Sequence, residues 1–507
     1  MAQVVNTGFV DTDVSKLQEM RHFGGPVLAK GLSDEIIRDF LECGYEELSV
    51  AIDRAYELFR ECRETHADFL KLDEGRQIEQ AHGGLTNFYA NDAVNPYVAA
   101  GAAGPWVVSL KGAVIYDCGG YGMLGLGHAP EAILEAMNKP QVMANIMTAS
   151  VSQVDFIARL KKEIGHSRKD GTPYASFLCL NSGSEANSLA SRFVDINTRK
   201  LTDPGARYDG CSIRGLTLKN SFHGRTDRPA RYSDSCAKTY RKYLASWRDD
   251  EYLITIEPNN IAELDAAFAK AEADGEFVEA FFMEPVMGEG NPGMSIAPDF
   301  YERARQLTKS HGTMFIIDSI QAGLRTHGVL SIVDYPGFSE LQAPDMESYS
   351  KALNAGQYPL SVLALSGEVG ALYRSGLYGN TMTTNPRALD VAIAVLDSLT
   401  PELRENIRRR GAQLVEGLAE LRDRTDGAIT GAQGTGLLAS CALASRYRTY
   451  GKNSTEDYLR RHGLGVIHGG ERSLRYTPIF DATSKEIDLI VALTEDALLN
   501  GPAPNDA

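Results

Sequence analysis

The sequence lacks what a disulfide scaffold, a membrane protein or a nucleic-acid binder needs. Its seven cysteines (Cys43, Cys62, Cys118, Cys179, Cys211, Cys236, Cys441) are scattered, odd in number and free of any CxxC pair. That argues against a disulfide framework and for reduced thiols. With no paired Cys/His spacing either, no metal site is expected. No apolar run approaches the length of a membrane span. The stretch MAQVVNTGFVDTDVSKL has no basic segment followed by an apolar core, so it does not read as a secretory signal. Positive charge is in deficit: 51 Lys and Arg against 67 Asp and Glu leave a formal net charge of −16. That deficit speaks against nucleic acid or an anionic membrane as partner. Together these absences predict a soluble, cytoplasmic protein.

What is present fits a globular chain of two or three domains: 507 residues, 43% hydrophobic and 23% charged. Residues 1–100 read as a helical N-terminal extension. Ser33 is a candidate N-cap before Asp34 and Glu35, Ile36, Ile37, Phe40 and Leu41 recur at helical spacing, and Gly44 splits the segment into two helices. Over residues 101–395 strands alternate with helices. AVIYD, ASFLCL, AFFME, MFIID and MESYS read as strands, with SEANSLASRFVDI and DFYERARQLTKS as helices between them. The alternation predicts an α/β domain with a mostly parallel sheet between helices. Residues 396–507 open with a charged amphipathic helix, PELRENIRRRGAQLVEGLAELRDR. Short strand signals follow at GLLASCAL, GVIHGG and SLRYTPI, which predicts a smaller α+β domain.

The chemistry gathers at strand ends. FLCLNSGSEANSLA runs from a strand through Ser182, Gly183 and Ser184 into a helix, and small residues there free N–H groups for an anion. FFMEPVMGEGNPG ends a strand on Glu284, with Glu289 in the loop beyond. MFIIDSIQ ends on Asp318, and MESYSKALNAG ends on Lys351. Alone, each has a bland reading: a helix cap, an ion-pair member, a solvated lysine. In succession they are the parts that hold pyridoxal 5′-phosphate. The helix N–H groups suit its phosphate, a buried carboxylate keeps its pyridine nitrogen protonated, and a desolvated lysine amine meets its aldehyde. A competing pattern, Gly120-x-Gly122-x-x-Gly125, matches a dinucleotide fingerprint, but no strand ending in an acid follows about 20 residues on.

These ordered motifs resemble the class III aminotransferases, pyridoxal-phosphate enzymes of fold type I, over roughly residues 100 to 500. GAVIYDCGGYGMLGLGHAPEAILEAM, NSGSEAN, SFHGRT, EPVMGEG, DSIQAG, YSKALNAGQYPL, YGNTMTTNP and SLRYTP carry the likeness. The resemblance implies that Lys351 forms the Schiff base and that Asp318 pairs with the pyridine nitrogen. It gives Gly183 and Ser184 the phosphate, Phe222 and Ile320 the two ring faces, and Gln321 the 3′-oxygen. Glu284 would lie near the cofactor oxygen, and His223 would face the substrate side. Arg225, Glu289 and Arg475 would meet substrate, Arg475 binding either Glu289 or a carboxylate. Thr381 would reach the phosphate from a neighbouring subunit, which implies a homodimer with shared sites. The activity implied is transfer of an amino group from an amino acid or amine to a keto acid or aldehyde. The cofactor motifs serve an aminomutase, racemase or decarboxylase alike, and a non-catalytic binding protein could keep the same fold. Four features depart from the family pattern. Ser319 stands where Glu is usual, the gap from Asp318 to Lys351 is a few residues longer than typical, TMTTNP lacks the usual glycines, and the helical extension is long.

Overall fold

A computed structural model describes residues 7–90, 93–248 and 251–502 of the chain. The N-terminal segment forms α1 (Thr7–His22), α2 (Asp34–Glu42), α3 (Glu46–Thr65), α4 (Ala67–Lys71) and α5 (Glu74–His82). Ser33 caps α2, its hydroxyl accepting the Ile36 N–H at 3.3 Å. Gly44, at φ +82°, makes the break before α3 in a conformation that other residues resist. These helices are not a loose appendage. Helix α3 lies on the strand β1 (Ala99–Ala103) so closely that a Cβ on Gly101 would stand 2.3 Å from the Ala55 nitrogen. Phe40 meets Trp106 edge-on at 5.0 Å.

Strands β2 (Trp106–Ser109) and β3 (Val114–Asp117) continue antiparallel from β1. AVIYD therefore lies outside the central sheet. The tight turn closed by Ser109 N–H to Ala113 O at 2.8 Å pairs it with its sequence neighbour instead. After α6 (Glu131–Asn138) and α7 (Val151–Glu163) come the strands of the central sheet, with helix α8 (Gly183–Thr202) following the first of them. They are β4 (Ser176–Leu180), β5 (Ser212–Leu218), β6 (Leu253–Ile256), β7 (Glu276–Met283), β8 (Met314–Asp318), β9 (Met346–Tyr349) and β10 (Ser361–Leu365). Their spatial order is β4-β10-β9-β8-β7-β5-β6, and only β10 runs antiparallel to its neighbours. The sheet is thus mostly parallel and buried on both faces. Ile316, Met346 and Leu363 face the core under α8, while Phe315, Ile317, Tyr349 and Val362 face a larger core on the other side.

The C-terminal segment opens with the helix Pro401–Arg424, capped by the Thr400 hydroxyl. Strands β11 (Ile429–Thr435), β12 (Leu438–Leu443), β13 (Leu464–Gly465), β14 (Ile467–Gly469) and β15 (Ser473–Tyr476) follow, then a last helix, Ser484–Asn500. The order β11-β12-β15-β14 is antiparallel throughout, but β13 leaves it to pair with β3. Residues 99–117 and the C-terminal segment therefore share a sheet. Among the described residues no helix is long and apolar enough to cross a membrane.

Candidate active site

All the strands that run parallel end on one edge of the central sheet, and a cavity of about 410 Å³ opens there. Helix α8 begins at its rim. Ser182 is the N-cap, its hydroxyl accepting from Glu185 N–H at 3.3 Å, while Glu185 Oε2 accepts from the N–H groups of Asn181 and Ser182. That reciprocal box occupies Ser182 in capping and leaves the first helical N–H groups, those of Gly183 and Ser184, for an anion. The space is cut close. A Cβ on Gly183 would fall 2.6 Å from Ile320 Cδ1, and one on Gly224 would fall 2.5 Å from Ser184 Oγ.

Asp318, at the last position of β8 and 4% exposed, is held on both oxygens. Oδ2 accepts from Asn187 Nδ2 at 2.8 Å and lies 2.9 Å from His223 Nδ1, and Oδ1 accepts from Ile320 N–H at 3.1 Å. Ser348, beside Asp318 across β8 and β9, bonds Asn187 Oδ1 at 2.9 Å. The ring of His223 is turned toward Asp318 and packs against Phe282, at the wall of the same cavity. Its Nε2 lies 3.2 Å from Thr217 Oγ1. Asn187 and Ser348 were not singled out from sequence, although NSGSEAN and MESYSK contain them.

Glu284, just past β7, accepts from Phe222 N–H at 3.0 Å and Gly288 N–H at 2.9 Å. Burial raises its carboxyl to about 7, with the nearby Asp318 adding to the rise. Lys351, two residues beyond β9, takes φ +46° and lines the cavity. Burial lowers its pKa and the Arg475 charge adds to that, against the pull of Asp318, Glu289 and Glu284. Gln321 lines the same wall, and its side-chain Nε2 is buried without a partner.

Of the expected site residues, Ser182, Gly183, Ser184, Phe222 and His223 meet around this cavity with Glu284, Asp318, Ile320, Gln321 and Lys351. Arg475 adjoins it. Its Nη1 donates to Gly288 O at 2.6 Å and lies 3.5 Å from Gln321 Oε1. Glu289 sits 3.6 Å from Arg225, whose guanidinium also lies over the Phe222 ring at 5.4 Å. Thr381 is exposed outside the cavity wall, and its carbonyl accepts from Asn145 Nδ2 at 3.3 Å. Gly120, Gly122 and Gly125 form no nucleotide turn. Gly122 O receives the buried Arg325 guanidinium at 3.3 Å, and a Cβ on Gly125 would strike Phe480.

The residues present suit pyridoxal 5′-phosphate. The orphaned amide of Gln321 supplies a donor for a ring oxygen, and the cradle of glycines at α8 leaves room where a phosphate needs N–H groups. Asp318 would be the buried acid for a ring nitrogen, Phe222 and Ile320 would offer apolar faces, and Lys351 would be the amine for an aldehyde.

Comparison with known proteins agrees with that chemistry. The family model "Aminotransferase class-III" matches residues 88–498. The acetylornithine aminotransferase of Neisseria meningitidis serogroup B is 29% identical over 423 residues, covering 82% of this chain and 98% of that protein. Ornithine aminotransferase 1 of Staphylococcus aureus is 28% identical over 431 residues, with the same coverage. The crystal structure of the ornithine aminotransferase from Toxoplasma gondii shares the fold, with a TM-score of 0.70 and 24% identity over 86% of this chain and 98% of that one. A second structure of that enzyme describes partial occupancy of PLP at its active site. Because the family match runs from ahead of the first strand into the last helix, taking in every strand exit and Arg475, this protein belongs to the class III aminotransferases and works with pyridoxal 5′-phosphate.

Proposed function

We propose that at least one substrate of this aminotransferase carries a carboxylate, received by Arg475 with Arg225 beside it. The observation that carries this reading is the state of Arg475. It is 2% exposed, its Nε has no partner, and its guanidinium is bonded to the Gly288 carbonyl, with a long contact to the Gln321 amide oxygen, instead of to a carboxylate. Burial lowers its pKa, opposed by the nearby Glu289. A buried planar cation with an unused donor suits a bidentate carboxylate. Glu289, close to Arg225, is placed to neutralise the site when a substrate lacks that group.

In this reading the bound cofactor supplies an electron sink for the substrate carbon. Lys351 Nζ takes the proton from that carbon and returns one, made competent at neutral pH by the burial that lowers its pKa. Asp318 holds its negative charge in place through Asn187, His223 and the Ile320 N–H. The relatives named for ornithine and acetylornithine extend the proposal to an amino acid with an amine remote from its carboxylate, and a keto acid as acceptor. We place the enzyme in the cytoplasm, in keeping with its seven free cysteines.

A panel of amines and amino acids, scored by formation of the pyridoxamine form of the cofactor, tests this. Arg475→Ala is expected to raise KM for carboxylate-bearing donors roughly 30-fold or more, the cost of removing one partner of a buried charge pair. Amines without a carboxylate should change less than threefold. Equal losses for both classes would reject the assignment.

A further inference from the structure

Ser319 follows Asp318, where the class usually has Glu, and its hydroxyl ends on a carboxylate delivered by the next strand. Glu347, in β9, is fully buried and lies beside Ile317 in the β8–β9 register. Its side chain therefore points to the face opposite Ser348 and Asp318. Oε1 accepts from Ser319 Oγ at 2.5 Å and from Ile332 N–H at 3.0 Å. Oε2 accepts from Tyr174 OH at 2.6 Å and from Ser331 Oγ at 2.5 Å. We infer that Glu347 is a positioning residue, whose carboxylate fixes the turn presenting Ile320 and Gln321 to the cofactor against the strand that leads to Lys351.

The turn needs an anchor on that side. Its inner side is tied by Ser319 N–H to Ser348 O at 3.0 Å, and by Ile320 N–H to Asp318 Oδ1. Gln321 cannot fix itself: its Nε2 is unpartnered, and its Oε1 has only the long contact to Arg475. The position of its amide is set by the backbone that carries it. Ser319 is the one residue of that turn whose side chain reaches the carboxylate, while Tyr174, Ser331 and Ile332 bring in segments away from the cavity. Four donors converging on one buried group call for a carboxylate, since an amide offers only one acceptor atom.

The inference rests on the cofactor assignment and is tested on cofactor binding alone. Ser319→Ala and Tyr174→Phe each delete one donor to Glu347, the first on the turn, the second remote from it. Dissociation constants for pyridoxal 5′-phosphate, read by quenching of intrinsic fluorescence of the cofactor-free protein, and visible circular dichroism of the bound form give the comparison. Ser319→Ala should weaken binding about tenfold and diminish the dichroic band. Tyr174→Phe should bind within twofold of the parent, with melting temperature lowered as much as for Ser319→Ala. Unchanged affinity in Ser319→Ala would overturn the inference, as would equal weakening in both variants, which would make the network a generic support of the core.

Discussion

Glu284 and Lys351 face one cavity, and burial moves both toward their neutral forms, the acid upward and the amine downward. For Glu284 the consequence can be measured without substrate. Its value in the fold is about 7 against an ordinary 4.5. Below about 4.5 the carboxyl is protonated in both the folded and unfolded chain, and its contribution to stability is complete. Between about 4.5 and about 7 the unfolded chain releases the proton while the folded one keeps it, so stability falls as pH rises. The loss is on the order of 3 kcal/mol. Glu486, also raised to about 7 by burial, adds a loss of the same sign in the same window. The comparison is therefore between wild type and Glu284→Gln, which share Glu486. Thermal melts of the cofactor-free proteins should show wild type losing ground to the variant across that window. Parallel curves would mean that Glu284 does not carry the shifted proton.

At the scale of elements, the sheet brings the ends of separate strands to one edge, and helix α8 turns its first N–H groups toward the same cavity. The fit there is exact enough that a single methyl is felt. Gly183→Ala would push its Cβ against Ile320, and overpacking of this kind costs about 1–3 kcal/mol. Since Ile320 and the α8 terminus line the cavity proposed to hold the cofactor, the loss should appear as roughly tenfold or greater weakening of pyridoxal 5′-phosphate binding. An equilibrium titration checks it, and unchanged affinity would show that Ile320 yields at no cost. The strand exits were legible in sequence because a short strand signal closing on one acid or one lysine, as in MFIID or MESYSK, is a pattern local to a few residues. The strands SIRGLTL, LITI and SVLAL were not, being short, mixed or without a chemical group at the end. The direction of His223 was illegible too, because it depends on Asp318, 95 positions away. Glu347 escaped for the same reason: its meaning lies in Ser319, Ser331 and Tyr174, which no spacing rule joins.

Exposed apolar side chains are scattered over the described residues, among them Leu85, Phe88, Tyr243 and Leu499, but six of them crowd one stretch. Val142, Met143, Ile146, Met147, Val151 and Val154 all stand exposed, Met147 at 89%, on the segment entering α7. Such a concentration in a chain of net charge −16 marks a contact surface. Asn145, inside this stretch, bonds the carbonyl of Thr381, so the apolar segment and the loop expected to serve a neighbouring subunit lie together. We propose a second copy of the chain as the occupant, so that each subunit's Thr381 loop would complete its partner's phosphate site. A stable interface of about 800 Å² per partner needs a desolvated apolar centre, which Met147 and Val151 would supply. Placing a charge at that centre forfeits the burial and leaves an unpaired carboxylate. Met147→Asp with Val151→Asp should therefore shift the protein from dimer to monomer in sedimentation equilibrium at micromolar concentration. On this proposal cofactor affinity should fall in the same variant, because the Thr381 loop would no longer reach the partner's phosphate site. A wild-type protein that sediments as a monomer at every concentration would refute the dimer. A monomeric variant with undiminished cofactor affinity would confine the surface to assembly and take Thr381 out of the site.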